Sequence, residues 1–127
     1  MKKTENNCIR QEADVEQIQT CRDRIGEVEH SIDLLANSMD MLGNKVRLQI
    51  LFLLNEQTKL CVCDISDVLE MKIPAISQHL RKLKDRGIIN GLKKGTTIYY
   101  FLSSEYAELF EHLFERINKG EVLKIAK

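Results

Sequence analysis

Two sets of residues in this sequence have types and spacings that carry chemistry. Cys61 and Cys63 flank a single valine, and two more cysteines, Cys8 and Cys21, lie near the N-terminus. A Cys-X-Cys unit offers two thiolates to one soft ion, and the positive end of a helix dipole suits such ligands. Two sulfurs are an incomplete set for most metals, so Cys8 and Cys21 are the expected source of a third or fourth ligand. Soft thiolates select cadmium, lead, mercury, zinc, copper(I) or trivalent arsenic over magnesium and calcium. The quieter reading of the same residues is that the thiols fill a core and that Cys21 lies on an apolar helix face.

The second set is basic. From Met71 to Lys94 seven basic residues face one acid, Asp85, although the formal charge of the whole chain is zero. From Ser103 to Glu121 five glutamates outnumber Arg116 and Lys119. That polarity suits a DNA binder, because the distribution of charge matters more than its sum. Between Pro74 and Arg86, the residues Ser77, Gln78, His79, Arg81, Lys82 and Lys84 lie outside the apolar positions Ile76, Leu80 and Leu83. Gln78 can pair with adenine through two hydrogen bonds, and Ser77 can bond a base or a phosphate. Arg81, Lys82 and Lys84 suit phosphates, as do Lys93 and Lys94 further on. His79 either faces the groove or packs against the preceding helix.

These residues need elements to hold them. The spacing of Val15, Ile18, Cys21 and Ile25 predicts a helix over 14–25. Ser31 is placed to cap a second helix with Ile32, Leu35, Ala36, Met39 and Leu42 on one face. Gly43 and Asn44 punctuate the chain, and Lys45 to Asn55 reads as a helix apolar enough to be the buried centre. Ile65, Val68 and Leu69 mark a short helix starting near the cysteines. Pro74, the only proline, suits the first turn of the next helix, and Gly87 suits its end. Ile88 to Leu92 and Thr96 to Leu102 read as a hairpin around Lys93-Lys94-Gly95. Ser103 or Ser104 begins a last helix whose stripe of Tyr106, Leu109, Phe110, Leu113, Phe114 and Ile117 suits core or a subunit interface. The order of elements predicts a mainly α protein with a β-hairpin, a winged helix-turn-helix. A homodimer is expected, since such readers bind paired half-sites about one helical turn apart.

A chain of 127 residues with 43% hydrophobic content is enough for one compact core. No apolar run approaches the roughly 20 residues of a membrane span, and the first residues have no apolar stretch of a signal peptide. A cytoplasmic location follows as the expectation, and with it reduced thiols rather than structural disulfides. No His/Asp arrangement serves a nucleophilic cysteine, and there is neither a glycine-rich phosphate loop nor a carboxylate pair for catalysis, so an enzyme is not expected.

The run LCVCDISDVLEMKIPAISQHLRKLKDRGIINGLKKGTTIYYFL resembles the metal box, recognition helix and wing of the ArsR/SmtB family of metal-sensing repressors. The likeness covers about Leu35 to Ile117. It implies a winged-helix dimer that binds operator DNA without metal and leaves it when metal binds. Within the family the chain is most similar to cadmium/lead sensors of the CadC type. They join a Cys-X-Cys pair to cysteine from an N-terminal extension, here Cys61, Cys63 and Cys8, with Cys21 as a fourth candidate. Cadmium or lead is thereby the expected effector, with mercury, zinc or arsenite as alternatives. Arsenic sensors with the pattern CVCDLC carry a third cysteine where this chain has Ser66. At the family's terminal-helix zinc site this chain has Ser104, Tyr106, Ile117 and Gly120, which make no ligand set, and His112 with Glu115 reads as a solvated face. Residues 1–28 are accordingly expected to be an extension contributing ligands, 29–120 the winged domain with dimerising terminal helices, and 121–127 a tail. The rival function is a thiol redox sensor of the same fold, with Cys8 or Cys21 as the resolving partner.

Overall fold

The computed structural model describes residues 9–123, so Cys8 lies outside the described residues. The chain divides into two compact units, one ending at Asn37 and one starting at Ser38.

Helix α1 runs without a break over Val15–Leu42, 28 residues, where the sequence predicts two helices with a cap at Ser31. Asp14 starts it, its Oδ1 accepting from the Gln17 N–H at 3.0 Å. Gly26 sits inside the helix, and a lone interior glycine costs only about 1 kcal/mol relative to alanine. Arg24 reaches across it to Glu27 at 3.0 Å, and Ser31 is an ordinary helical residue. Local punctuation lost to helical continuity.

In the second unit Asn44 ends the link after α1, its side chain accepting from the Arg47 N–H at 3.1 Å. Helix α2, Lys45–Glu56, buries Ile50, Leu51 and Leu54, as its apolar sequence predicts. Helix α3, Val62–Leu69, inserts Ile65, and helix α4, Ile73–Asp85, inserts Ile76, Leu80 and Leu83. Pro74 lies in the first turn of α4, where its missing N–H costs nothing. Gly87 follows the end of α4 with φ +75°, a conformation a side chain would disfavour. Helix α5, Ser104–Lys119, closes the core with Phe110 and Phe114. Phe110 is 5.7 Å from the Tyr106 ring and 5.9 Å from the Phe114 ring.

The hairpin becomes a three-stranded antiparallel sheet, ordered β1-β3-β2. Strands β2, Ile89–Lys94, and β3, Thr97–Leu102, pair from Ile89 opposite Leu102 to Lys94 opposite Thr97. The two-residue loop is therefore Gly95-Thr96, and Lys93 and Lys94 are the last residues of β2 rather than its turn. Gly91 leaves room for β3, since a Cβ there would stand 2.9 Å from Ile98 Cγ2. The sequence does not announce β1, Leu60–Cys61, which pairs with Tyr100 and Tyr99. Ser103 joins the layers: its hydroxyl donates to the Gly87 carbonyl at 2.6 Å and accepts from Asn90 Nδ2 at 3.3 Å.

Candidate functional site

The turn between α3 and α4 is held by Ser66. Its carbonyl accepts from the Met71 N–H at 3.1 Å, and its hydroxyl donates to the Met71 carbonyl. Glu70 makes the corner in the left-handed conformation, φ 53°. With the turn fixed, α4 buries its apolar stripe and leaves Gln78, Arg81, Lys82 and Lys84 exposed and Ser77 half-buried. Ser77, Arg81 and Lys84 follow i, i+4, i+7 spacing and form one ridge, with Gln78 beside it. The small and amide groups sit toward the N-terminal half and the cations toward the C-terminal half. That is the arrangement of a helix whose start enters the major groove and whose end meets phosphate.

His79 is placed differently. It is half-buried, and its Nδ1 has no hydrogen-bond partner. Burial, with the positive charges of Arg47 and Lys82, holds its pKa below the ordinary histidine value. Arg47 anchors this corner by donating from Nε to the Met41 carbonyl at 2.9 Å. Lys82 also lines a cleft of about 300 Å³ with Asp40, Arg47, Asp85 and Arg86. His79 and Lys82 thus lie on the side of α4 that turns toward Arg47, and the ridge of Ser77, Arg81 and Lys84 lies beside it.

At the wing, strand geometry separates the two lysines. Neighbouring residues of a strand point to opposite faces, and directly paired residues share one. Lys94, Thr97, Leu92 and Tyr99 therefore share a face, and Lys93 and Ile98 share the other. Cys61 pairs with Tyr99, so its side chain lies on the face of Lys94.

Cys61 is half-exposed, and Cys63 is exposed; both are free thiols. Cys61 occupies the N-cap position of α3 and Cys63 lies in its first turn. Asp64 completes the end. It accepts hydrogen bonds from the Cys61 thiol and from the Cys61 backbone N–H, the latter at 3.2 Å, and both hold its carboxyl below the ordinary aspartate range. Cys21 is exposed on α1. Among the described residues no group of three or more His, Cys, Asp or Glu side chains converges as a metal site. The local donor set is thus two soft sulfurs, which fit part of a thiophilic ion's coordination shell and leave the rest to other ligands.

Residues 44–91, from the cap of α2 into β2, match the family described as "Bacterial regulatory protein, arsR family". The chain is 34% identical over 92 residues to a cadmium resistance transcriptional regulatory protein, a CadC homolog of Staphylococcus aureus, covering 72% of this chain and 74% of that one. The chain belongs to the ArsR family. It is a transcription regulator and not an enzyme. An arsenical resistance operon repressor of Escherichia coli is 40% identical over 63 residues, half of this chain and 54% of that one. Among solved structures, reduced HlyU from Vibrio cholerae N16961 superposes with a TM-score of 0.65 at 33% identity, covering 70% of this chain and 94% of that one. The mostly helical domain with a small antiparallel sheet is the winged helix of ArsR-type regulators.

Two residues of this ArsR-family chain carry more than their sequence context suggests. Lys59 reads as part of a polar loop, but its ammonium lies 5.3 Å from the centre of the Tyr99 ring. Nearby Lys94 lowers its pKa from the ordinary lysine value. The wing therefore has a further cation, which only the pairing of β1 with β3 brings there. Ser66 reads as a missing ligand, yet its hydroxyl is engaged in the turn. No signal in the sequence marks Lys59 or the Ser66–Met71 clasp, which spans five residues.

Proposed function

We propose that this regulator is a homodimeric, cytoplasmic repressor that binds operator DNA through α4 and the wing and is released by a soft metal ion held by cysteine thiolates. One observation carries the reading. The free thiols of Cys61 and Cys63 lie at the start of α3, on a backbone that is at once the first helix of the DNA-reading motif and the strand paired with the wing. A bound thiophilic ion supplies a cross-link among sulfurs. Cys61 and Cys63 hold two of its positions, and a thiolate of the N-terminal segment, from Cys8 or Cys21, supplies another. Binding as a thiolate requires Cys61 to release its proton. Cadmium or lead is the proposed effector, in keeping with the name of the Staphylococcus relative.

In the reading motif, Ser77 and Gln78 meet base edges, while Arg81, Lys84, Lys93 and Lys94 meet phosphates; His79 and Lys82 support that surface from the Arg47 side. Dimerisation is supported by α5, where Leu109 and Leu113 stay 47% and 39% exposed while Phe110 and Phe114 are buried. Metal and operator are linked, so each weakens the other by the same factor, worth about 1–3 kcal/mol in switches of this kind.

The test is release of labelled operator DNA during titration with cadmium, lead, mercury, zinc and arsenite, repeated for Cys8→Ser, Cys21→Ser and the Cys61→Ser/Cys63→Ser pair. Release by cadmium or lead that disappears in the paired variant is expected. If the paired variant still leaves DNA on metal addition, the thiols are not the sensor. Release by arsenite alone, or by an oxidant with no metal effect, establishes the arsenic or redox alternative instead.

A further inference from the structure

The first unit holds a pattern that neither DNA reading nor metal binding uses. Along α1, Ile18, Ile25 and Ile32 are spaced by seven, and so are Cys21, Val28 and Leu35, each three residues later. These are the a and d positions of a heptad repeat. A gap in helix prediction around residues 26–30 hides this pattern; the unbroken helix puts all six residues on one stripe. None of them belongs to the buried core, and Ile25, Ile32 and Leu35 are 57%, 47% and 44% exposed.

We infer that this stripe is a two-stranded, parallel coiled-coil seam whose occupant is the same stripe of a second copy, extending the proposed dimer through its N-terminal segment. This rests on the dimeric reading above. Branched isoleucine at the a positions 18, 25 and 32, with leucine at the d position 35, favours two parallel strands over higher assemblies. The flanking charges agree. In a parallel pair the residue at g faces the e residue five positions on in its partner, which sets Arg24 against Glu29 of the second copy, twice by symmetry. The other such pairs, Gln17 with Arg22 and Ser31 with Ala36, bring no like charges together. Within one chain Arg24 bonds to Glu27, but both side chains are well exposed, 70% and 62%, so the arginine is free to exchange partners.

The seam has a consequence for the thiols. In a parallel register Cys21 meets Cys21 of the second copy, packed between the helices. It is thereby withdrawn from the ligand set of Cys61 and Cys63, and Cys8 is left as the N-terminal donor. In an antiparallel register Cys21 instead faces Ile32.

Cross-linking of the full chain decides this. In a variant with Cys8, Cys61 and Cys63 each replaced by serine, diamide serves as the oxidant, taking both thiol hydrogens as the disulfide forms. Most of the chain should run as a dithiothreitol-reversible dimer on a denaturing gel. Absence of that dimer overturns the proposal, and a cross-link that appears only after Ile32→Cys is added, and that peptide mapping places between position 21 of one copy and position 32 of the other, shows an antiparallel pair and also overturns it. Sedimentation gives an independent measure: Ile25→Asp with Ile32→Asp should raise the dimer dissociation constant by about tenfold or more, because buried charge opposes the seam. An unchanged constant in a dimeric protein overturns the seam alone. A wild-type chain that is monomeric at micromolar concentration overturns the dimeric reading with it.

Discussion

Replacing Lys94 with alanine tests how the wing meets DNA. Lys94 is exposed at the end of β2 on the face it shares with Thr97 and Tyr99, while Lys93 points to the other face. Each phosphate neutralised adds about 0.9 to the slope of log affinity against log salt. A dimer has two wings, so Lys94→Ala should flatten that slope by about 1.8. Between 50 and 200 mM salt the affinity of the variant should then fall about twelvefold less than that of the wild type. Fluorescence anisotropy of operator and unrelated DNA over that range is the assay. Both DNAs should show the same change, because a phosphate contact carries no sequence information. Gln78→Ala should do the opposite. Its slope should stay at the wild-type value while discrimination between the two DNAs falls by about 1–3 kcal/mol for each base pair that loses its contact. A wild-type slope in Lys94→Ala, with Lys59→Ala also silent, refutes wing contact through this face.

Three further outcomes follow from the packing. Gly26→Ala meets no atom within 4 Å of its new Cβ. It should stabilise α1 by about 0.5–1 kcal/mol, read as roughly two- to fivefold slower amide exchange around residue 26. Phe110 is 0% exposed between two rings, so Phe110→Ala should cost about 3–5 kcal/mol in urea unfolding. His79 has its pKa lowered by burial and by the charges of Arg47 and Lys82. The unfolded chain then binds the proton more readily than the folded one, and stability present above the ordinary histidine pKa is lost as pH falls through and below it. Urea midpoints at pH 7.5 and 5.5 should diverge less in His79→Gln than in the wild type; equal divergence assigns the pH dependence to other groups.

The reading motif was legible because each of its signals is local. Pro74 in a first turn, Gly87 past a last turn, and the alternation from Thr97 to Leu102 each fix backbone within a few residues. Two features were not. The continuity of α1 depends on a register kept over 28 residues, and at Gly26 and Ser31 a short window sees only weak helix formers. Strand β1 is two residues long; it exists because β3 offers a free edge, a fact of topology with no mark on Leu60 or Cys61. The spacing of the thiol pair is visible in the sequence, but not the company it keeps: Asp64 is a sequence neighbour, whereas Tyr99 and Lys59 come near only through the pairing of β1 with β3.

Under the proposed function, that small strand shortens the distance between sensing and reading. Here Cys61 and Tyr99 are rungs of the same ladder, about 4.8 Å apart across the sheet. Backbone hydrogen bonds tolerate little stretching, so a pull on Cys61 that exceeds their give must roll the wing or break the rung. The stiffness of the response is thus set by a pair of peptide groups. Weakening that pairing is a way to uncouple binding from release while leaving both surfaces chemically intact.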